Sequence, residues 1–392
     1  MRDVYICHSK RTLIGSQGGS LAFVRPDDLA AHVINAVLQG QELKVDEVVF
    51  GCANQAGEDN RNVARMATLL SKLGESVPAV TINRLCASGL DAVIIGARTI
   101  ASGSAEVVIV GGVESMSRAP FVMPKAESAF SRKAEIYDTT LGWRFAHAQI
   151  AKRFGIESMP ETAENIAAEF SISRADQDAF ALRSQQRYDP SWHAADIVPI
   201  NIPARKGEML TAAKDEHPRN TSIEKLTALP TPFRDKGTVT AGNASGVNDG
   251  AAAVLLASTA AMKRYGLTPL ARVGMAATAG VAPRLMGIGP IAAFKKMSEL
   301  TGLSIADFAV IELNEAFAAQ VLACTRAWGL PDDAPHVNAY GGGISMGHPL
   351  GMSGARIAAA AARRLHETQA KNALVTLCVG VGQGVALALY AP

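Results

Sequence analysis

Cys86 is the first of three side chains whose sequence context could support nucleophilic chemistry. It lies in residues 83–89, after a predicted strand over 79–82 and before an Ala-rich helix predicted over 88–101. A thiol at a helix N-terminus lies near the positive end of the macrodipole and near free N–H groups, and both favour the nucleophilic thiolate. The segment alone supports equally well a small buried hydrophobic residue, the usual role of a free cysteine.

His348 and Cys378 stand in glycine-rich segments near the C-terminus. His348 lies in residues 341–351, and the pKa of an unperturbed imidazole is close to neutrality, so it could act as a general base. A structural hydrogen bond in a turn is the alternative. Cys378 precedes a run in which N–H groups near Gly380 could form an anion-binding nest. The glycine spacing and a final predicted strand over 385–390 argue against a dinucleotide-binding loop.

Asn314 is the fourth candidate, at the end of a predicted strand over 310–313. It is predicted to start a helix. Its side chain could cap that helix, or it could hold a water molecule near an oxyanion. Capping is the simpler interpretation of the motif by itself.

The surrounding elements indicate an α/β protein. The chain has 392 residues, of which 48% are hydrophobic, enough for two or three domains and a large core. Predicted strands and helices alternate over 1–118 and again over 249–392, a βαβ pattern that predicts a mostly parallel sheet covered by helices. Residues 119–248 hold more charges and prolines and are predicted to be an irregular insertion with some helices.

The last zone repeats the first. The predicted strand over 46–50 aligns with 307–311, and the helix after Cys86 aligns with the helix after His348, each pair about 261 residues apart. Chance similarity of two βαβ patterns is the alternative to duplication. If the copies pack about a pseudo-twofold axis, Cys86 and His348 face each other and form an activated nucleophile.

Composition excludes several other functions. The net charge is +2 and no Lys/Arg-rich run is present, which argues against nucleic-acid binding. No apolar run approaches the roughly 18 residues of a membrane span. The first residues enter a predicted strand and leave no room for a signal peptide. Five scattered cysteines lack metal-binding spacing, so we expect no metal and a reducing, cytoplasmic location.

These segments together resemble the thiolase family over essentially the whole chain. The resemblance rests on residues 83–89, 111–117, 242–252, 314–318, 347–351 and 378–384. It implies an α/β fold of two duplicated halves with mixed sheets, packed in αβαβα layers, plus an inserted loop domain. The halves would be residues 1–118 and 249–392, and the loop domain that contacts CoA would be 119–248. Residues 249–268 could pack with the N-terminal half.

The resemblance also implies a role for each candidate. Cys86 would be the acylated nucleophile, His348 would take its proton, and Cys378 would handle the proton at the α-carbon of the acetyl unit. Asn314 would position a water that stabilises one oxyanion together with His348. The N–H groups of Cys86 and Gly380 would stabilise the other. CoA would be a substrate, and no metal or redox cofactor would be needed.

The implied CoA contacts lie mostly in the inserted segment. Ordinary packing is the alternative for each of them, and the alignment at the phosphate candidate, Arg219, is not clean. By family position the pantetheine and adenine would be lined by Ser245, Met159, Met286, Phe233 and Phe317. A homodimer or homotetramer is expected.

The substrate is suggested by a further likeness. Residues 137–145 and 158–162 resemble the 3-oxoadipyl-CoA thiolases of aromatic-compound breakdown. That substrate carries a distal carboxylate, for which Arg144 is the candidate partner, although it could equally be a surface arginine. Tyr340 and the residues after Phe145 depart from the family pattern, so an acetoacetyl-CoA or general 3-oxoacyl-CoA thiolase is the alternative.

Two other classes fit the sequence less well. A decarboxylating condensing enzyme of the ketosynthase type shares the architecture, but that group places a histidine at the position of Asn314 and lacks Cys378. A non-catalytic acyl-CoA-binding protein is expected to have lost at least one reactive group, and none is missing here.

Overall fold

Strands and helices alternate through most of the chain. The computed structural model describes residues 2–203 and 208–392. The strands are β1 Val4–Arg11, β2 Gly15–Ser16, β3 Glu47–Gly51, β4 Ala79–Ile82, β5 Val107–Ser115, β6 Phe121–Val122, β7 Tyr137–Asp138, β8 Ile200–Pro203, β9 Met209–Ala212, β10 Asn248–Ser258, β11 Ala271–Gly280, β12 Val310–Leu313, β13 Asn372–Val379 and β14 Gln383–Tyr390. The helices are α1 Pro26–Val37, α2 Val63–Leu70, α3 Ser88–Ala101, α4 Ala148–Phe154, α5 Met159–Glu169, α6 Arg174–Arg187, α7 Pro190–Ala194, α8 Ile223–Thr227, α9 Thr259–Tyr265, α10 Gly289–Thr301, α11 Ala318–Ala327, α12 Gly343–Met346 and α13 Leu350–Thr368.

The main sheet consists of two halves with the same strand order. Its path is β12-β13-β14-β11-β1-β10-β5-β3-β4, with β2 added beside β10. A bridge between Ile311 and Val337 stands beside β12 where the first half has β4. The halves join where β1 and β11 pair through Tyr5 with Arg272 and Ile6 with Ala271. This matching order confirms the duplicated α/β architecture.

Strand directions in each half are mixed. In the first half β3 runs parallel to β4 and β5, whereas β10 runs antiparallel to both β5 and β1. In the second half β12 and β13 are parallel, and β14 is antiparallel to β13 and β11. The expectation of a mostly parallel sheet was therefore wrong, because hydrophobic patterning gives a strand's burial and not its direction.

Five layers result from the way the strands divide their side chains. Val49 of β3 faces α3 and α13 between the two half-sheets, while its neighbours Val48 and Phe50 face α1 and α2 outside. In the second half, Leu374 of β13 packs outward with residues of α10 and α11, and Val375 packs inward. This alternation, a consequence of the period-2 strand, produces the αβαβα arrangement.

The two central helices cross with their backbones in contact. A Cβ added at Gly89 of α3 would lie 2.5 Å from the carbonyl oxygen of Gly351, and one added at Gly354 of α13 would lie 2.2 Å from the amide nitrogen of Leu90. Glycine is required at these crossing positions because nothing larger fits. The close approach brings together the N-terminal ends of α3 and α13, beside which Cys86 and His348 lie.

The described residues of the inserted segment form five helices, α4 to α8, and two hairpins, β6–β7 and β8–β9. The expected helices are present, and in one of them, α6, Ser173 and Asp176 form a capping box at its start. Over the described ranges, no helix has the length and apolar character needed to cross a membrane.

Candidate active site

Cys86 lies in a 3-10 turn, Leu85–Ala87, directly before α3. The N–H groups of Cys86 and Gly380 oppose a rise in the pKa of its thiol, yet burial raises that pKa to about 11. The N–H donors favour the thiolate, as expected, but desolvation outweighs them. Cys86 is a neutral thiol at pH 7 and needs a base to become nucleophilic.

His348 is held as a neutral base by a chain of hydrogen bonds. Its Nδ1 lies 2.6 Å from the hydroxyl oxygen of Ser353, and that hydroxyl donates to the carbonyl oxygen of Pro349 at 2.8 Å. Because the hydroxyl hydrogen is used in this way, Nδ1 carries the ring proton and Nε2 presents a lone pair. Burial and the nearby Arg356 lower the pKa of His348 to about 3.

The backbone at His348 is fixed by Asn248 of β10. The His348 N–H donates to the Asn248 Oδ1 at 2.9 Å, and the Asn248 Nδ2 donates to the carbonyl oxygen of Gly15 at 3.0 Å. Gly347 adopts a φ of +98°, and a Cβ there would lie 2.4 Å from the Asn248 Oδ1. Glycine is thus needed directly before the histidine for both conformation and space.

Asn314 faces the imidazole and does not cap a helix. Its Nδ2 lies 3.3 Å from the His348 Nε2, and helix α11 begins four residues later at Ala318. The buried Asn314 Oδ1 has no hydrogen-bond partner among the described residues. This oxygen is therefore free to accept a hydrogen bond from a water molecule or substrate in the site.

Cys378 is the penultimate residue of strand β13. Burial raises its pKa well above the ordinary value, and the nearby sulfurs of Cys86 and Cys324 add to the rise. The two reactive thiols of the sequence analysis therefore lie close enough to influence each other. At pH 7 Cys378 is protonated and can act as an acid.

The structure brings most of the predicted CoA-binding residues to this place. Met286 and Phe317 form one buried cluster with Cys378, and Met159 packs against it. The Ser245 N–H donates to the carbonyl oxygen of Ala316 at 2.9 Å, so Ser245 lies beside this buried cluster.

The remaining predicted contacts lie apart from that cluster. Phe233 is 37% exposed. The Arg219 side chain is exposed, and its backbone N–H donates to the Gln185 Oε1. The Arg144 Nη2 donates to the Asn54 Oδ1 at 2.7 Å and packs on the first half of the protein.

Three polar residues that support the site were not singled out from the sequence. Ser353 and Asn248 orient His348, as described above. Glu114 accepts hydrogen bonds from the N–H groups of Ala53, Asn54 and Gly351, so it joins a loop of the first half to the start of α13. Asn248 and Glu114 stand within motifs quoted for the family resemblance, but only the fold reveals their partners.

Cys52, Asp59 and Glu114 form a buried cluster of potential metal ligands. Both carboxylates already accept backbone N–H bonds, and the pKa of the Cys52 thiol is raised well above its ordinary value by burial and by these two acids. A protonated thiol is a poor metal ligand. The cluster is better explained as a hydrogen-bonded support for the loop that follows β3.

Three buried histidines make the stability of the protein depend on pH. Burial lowers the pKa of His193 and His217 to about 4 and that of His348 to about 3. In the unfolded chain the pKa is about 6.5. Between these values the unfolded state binds protons that the native state does not, so the free energy of unfolding falls as the pH falls. Each histidine contributes up to about 1.4 kcal/mol per pH unit.

We expect the His193→Gln variant to lose part of this dependence. Urea unfolding at several pH values between about 7 and 4.5 measures it, and the wild-type curve should fall more steeply than that of the variant by about 1 kcal/mol per pH unit. The comparison is needed because burial raises the pKa of Glu114 to about 7, which acts in the opposite direction over the same range. Parallel curves would contradict a neutral, buried His193.

Comparison with known proteins gives the class. The family description "Thiolase, N-terminal domain" matches residues 4–260, and "Thiolase, C-terminal domain" matches residues 267–391. The chain therefore belongs to the thiolase family, as the sequence motifs indicated, and is an acyltransferase of this type.

Individual relatives narrow the likeness. The chain is 57% identical to the 3-oxoadipyl-CoA/3-oxo-5,6-dehydrosuberyl-CoA thiolase of Escherichia coli (strain K12), over 99% of each chain. It is also 57% identical to the beta-ketoadipyl-CoA thiolase of Pseudomonas putida, again over 99% of each. The crystal structure of human mitochondrial 3-ketoacyl-CoA thiolase aligns with a TM-score of 0.91 at 38% identity, covering 100% of this chain and 99% of that one. These likenesses confirm the predicted thiolase fold.

Proposed function

We propose that the protein cleaves 3-oxoadipyl-CoA with CoA to give succinyl-CoA and acetyl-CoA. The observation that carries the chemistry is the neutral His348, tied to Asn314 on Nε2, in a fold that also brings Cys86 and Cys378 together. The choice of substrate is supported by the 57% identity to relatives named for 3-oxoadipyl-CoA. Coenzyme A is a cosubstrate in this reaction, and none of its steps requires a further cofactor.

The first step forms the acyl-enzyme. The His348 Nε2 takes the proton of Cys86 as the sulfur attacks the C3 carbonyl carbon of the substrate. Both groups are neutral at rest, so proton transfer accompanies the attack. The N–H groups of Cys86 and Gly380, both of which favour negative charge at the sulfur, stabilise the oxyanion that forms at C3.

The second step breaks the carbon–carbon bond. When the C3 carbonyl re-forms, the C2–C3 bond breaks and its electrons pass to C2 as the enolate of acetyl-CoA. Cys378 gives its proton to C2, a role that fits its raised pKa. The enolate oxygen is stabilised by the protonated His348 and by a water on the free Oδ1 of Asn314.

The last step transfers the acyl group and restores the site. The sulfur of CoA attacks the thioester on Cys86 and gives its proton to the Cys378 thiolate. The leaving Cys86 sulfur regains its own proton from His348. All three side chains thus return to their starting protonation states in one turnover.

The inserted segment 119–248 is proposed to hold CoA, between halves at 1–118 and 249–392, with residues 249–268 packed on the first half. Met159, Met286 and Phe317 offer an apolar wall that leads to Cys378, which suits the pantetheine arm. Ser245 stands at the same wall, while Phe233 and Arg219 lie at exposed positions suited to the adenine and phosphates.

Arg144 is proposed to bind the distal carboxylate of the substrate. Its hydrogen-bond acceptors in the described part of the chain are neutral oxygens of Asn54 and Thr139, so these contacts leave its positive charge available. The Arg144→Ala variant should lower the ratio of kcat/KM for 3-oxoadipyl-CoA over acetoacetyl-CoA by about 10- to 100-fold, the loss of one charge-assisted hydrogen bond.

A thiolysis assay with both substrates measures that ratio. Arg153→Ala in the exposed helix α4 is the matched control and should leave it unchanged. An unchanged ratio in Arg144→Ala would remove Arg144 from the site. A wild-type ratio near or below one would instead favour an acetoacetyl-CoA thiolase.

Assembly into a homodimer or homotetramer is also proposed. Strand β4 ends the main sheet, and an open edge of this kind invites pairing with another chain. Large apolar side chains are exposed beside it, at Met66, Leu69, Leu70 and Val80. A second copy of the chain would cover this surface.

A cytoplasmic location is also proposed. The five cysteines are all free thiols, which suits the reducing cytoplasm.

A further inference from the structure

The turn that carries Cys86 adopts a strained backbone. Leu85, the residue before the nucleophile, has a φ of +46°, which non-glycine residues seldom adopt. Facing it across the site, the loop after β13 contains Val381 at a φ of +63°, an uncommon conformation for a β-branched residue. Such conformations persist only where the surrounding contacts impose them.

Local hydrogen bonds explain part of the strained turn. The Leu85 N–H donates to the Asn83 Oδ1 at 2.8 Å. The Ser88 hydroxyl accepts from the Arg84 N–H at 2.8 Å and donates to the carbonyl oxygen of Leu85 at 2.7 Å. These bonds shape the turn within the first half. None of them sets its position relative to Gly380, which belongs to the second half.

Arg84 makes a side-chain hydrogen bond that crosses between the halves. Its Nη1 donates to the Gln383 Oε1 at 2.9 Å, while its Nε pairs with the Asp91 Oδ2 at 2.6 Å in the first turn of α3. The guanidinium is therefore fixed at one end to the helix that follows Cys86. At the other end it holds the first residue of β14, three positions after Gly380.

Gln383 is itself rigidly placed. It pairs with Val379 and with Gly280 in the ladders on either side of β14. A Cβ added at Gly289 would lie 2.1 Å from the Gln383 carbonyl oxygen, so this backbone is packed without spare room. The Arg84 contact thus connects the strained turn to a fixed point of the second half.

We propose that the Arg84–Gln383 hydrogen bond positions the Cys86 turn against the Gly380 N–H, and so sets the geometry of the oxyanion site shared by the two halves. Both are positioning residues that act through the backbone. The inference rests on the proposed function in one respect, since the thiolysis reaction identifies the oxyanion that this site would bind. The contact itself sets how closely a backbone donor approaches the Cys86 sulfur.

The test is a double-mutant cycle with Arg84→Met and Gln383→Met. Each single variant should lower kcat by about 10- to 100-fold with KM nearly unchanged, since a displacement of about 1 Å can cost about 100-fold. The double variant should be no slower than the slower single variant, because the two residues act through one contact. Gln383→Glu keeps an oxygen for Arg84 and should retain most of the activity.

A second readout separates positioning from general destabilisation. The Gly380 N–H lowers the pKa of Cys86. If the variants move this N–H away from the sulfur, less thiolate forms and iodoacetamide should alkylate Cys86 more slowly between about pH 7 and 9. Mass spectrometry of the peptide that contains Cys86 measures the rate. Arg326→Met, which removes a surface guanidinium paired with Asp176 and Asp332, is the matched control and should react at the wild-type rate.

Losses that multiply in the double variant, or wild-type alkylation rates in the single variants, would overturn the proposal. Alkylation needs no substrate, so this outcome is distinct from a failure of the proposed reaction. If the proposed reaction were wrong, the Cys86→Ala variant would instead keep full turnover.

Discussion

The Cys86→Ala variant is expected to lose thiolysis almost completely, with kcat lowered by at least about 10⁴-fold. The methyl side chain cannot form the thioester through which the acyl group passes. The protonated Cys378 in its buried strand is a poor substitute nucleophile. The rate at which acetyl-CoA is released from 3-oxoadipyl-CoA in the presence of CoA measures the effect.

The matched control removes a thiol elsewhere. Cys7 is a buried cysteine of β1, and Cys7→Ala should keep the wild-type kcat. Thermal unfolding of both variants establishes that each is folded. Normal turnover by Cys86→Ala would reject the nucleophile, and with it the proposed reaction.

The Cys378→Ser variant is expected to separate the two halves of the reaction. A serine hydroxyl is a far weaker acid than a thiol, so protonation of C2 should slow and cleavage of the C2–C3 bond should fall by about 10²- to 10⁴-fold, the usual contribution of a positioned acid. Acylation of Cys86 by a simple acyl-CoA breaks no carbon–carbon bond and should be partly retained.

The two activities can be measured on one preparation. Acyl exchange between Cys86 and labelled CoA reports acylation, and thiolysis of 3-oxoadipyl-CoA reports bond cleavage. Equal loss of both would contradict the division of roles between the two cysteines. A serine variant that cleaves normally would show that another group protonates the enolate.

The sequence predicted which segments approach each other, because the repeat encodes it. Cys86 and His348 each precede a central helix in one copy of the duplicated unit, and the glycines of both helices allow them to cross in contact. Helix periodicity and glycine positions are local properties that a sequence displays. The α/β class followed from the same signals, whereas the layered arrangement was implied by the family resemblance.

The sequence did not predict how the site is tuned. The pKa of Cys86 rises to about 11 because burial, a tertiary property, outweighs the helix terminus that the motif displays. Asn314 looked like a helix cap, but its amide faces His348 and the helix starts later. The direction of β10 and the partner of Ser353 likewise depend on contacts between segments far apart in sequence.

The central claim is that the acyl group passes through the sulfur of Cys86. Rapid quenching of the enzyme with 3-oxoadipyl-CoA in the absence of CoA, followed by mass spectrometry of its peptides, tests that claim most directly. The mechanism predicts a succinyl thioester on the peptide containing Cys86, removed when CoA is added before quenching. An unmodified Cys86 during turnover, or an acyl group on another residue, would contradict it.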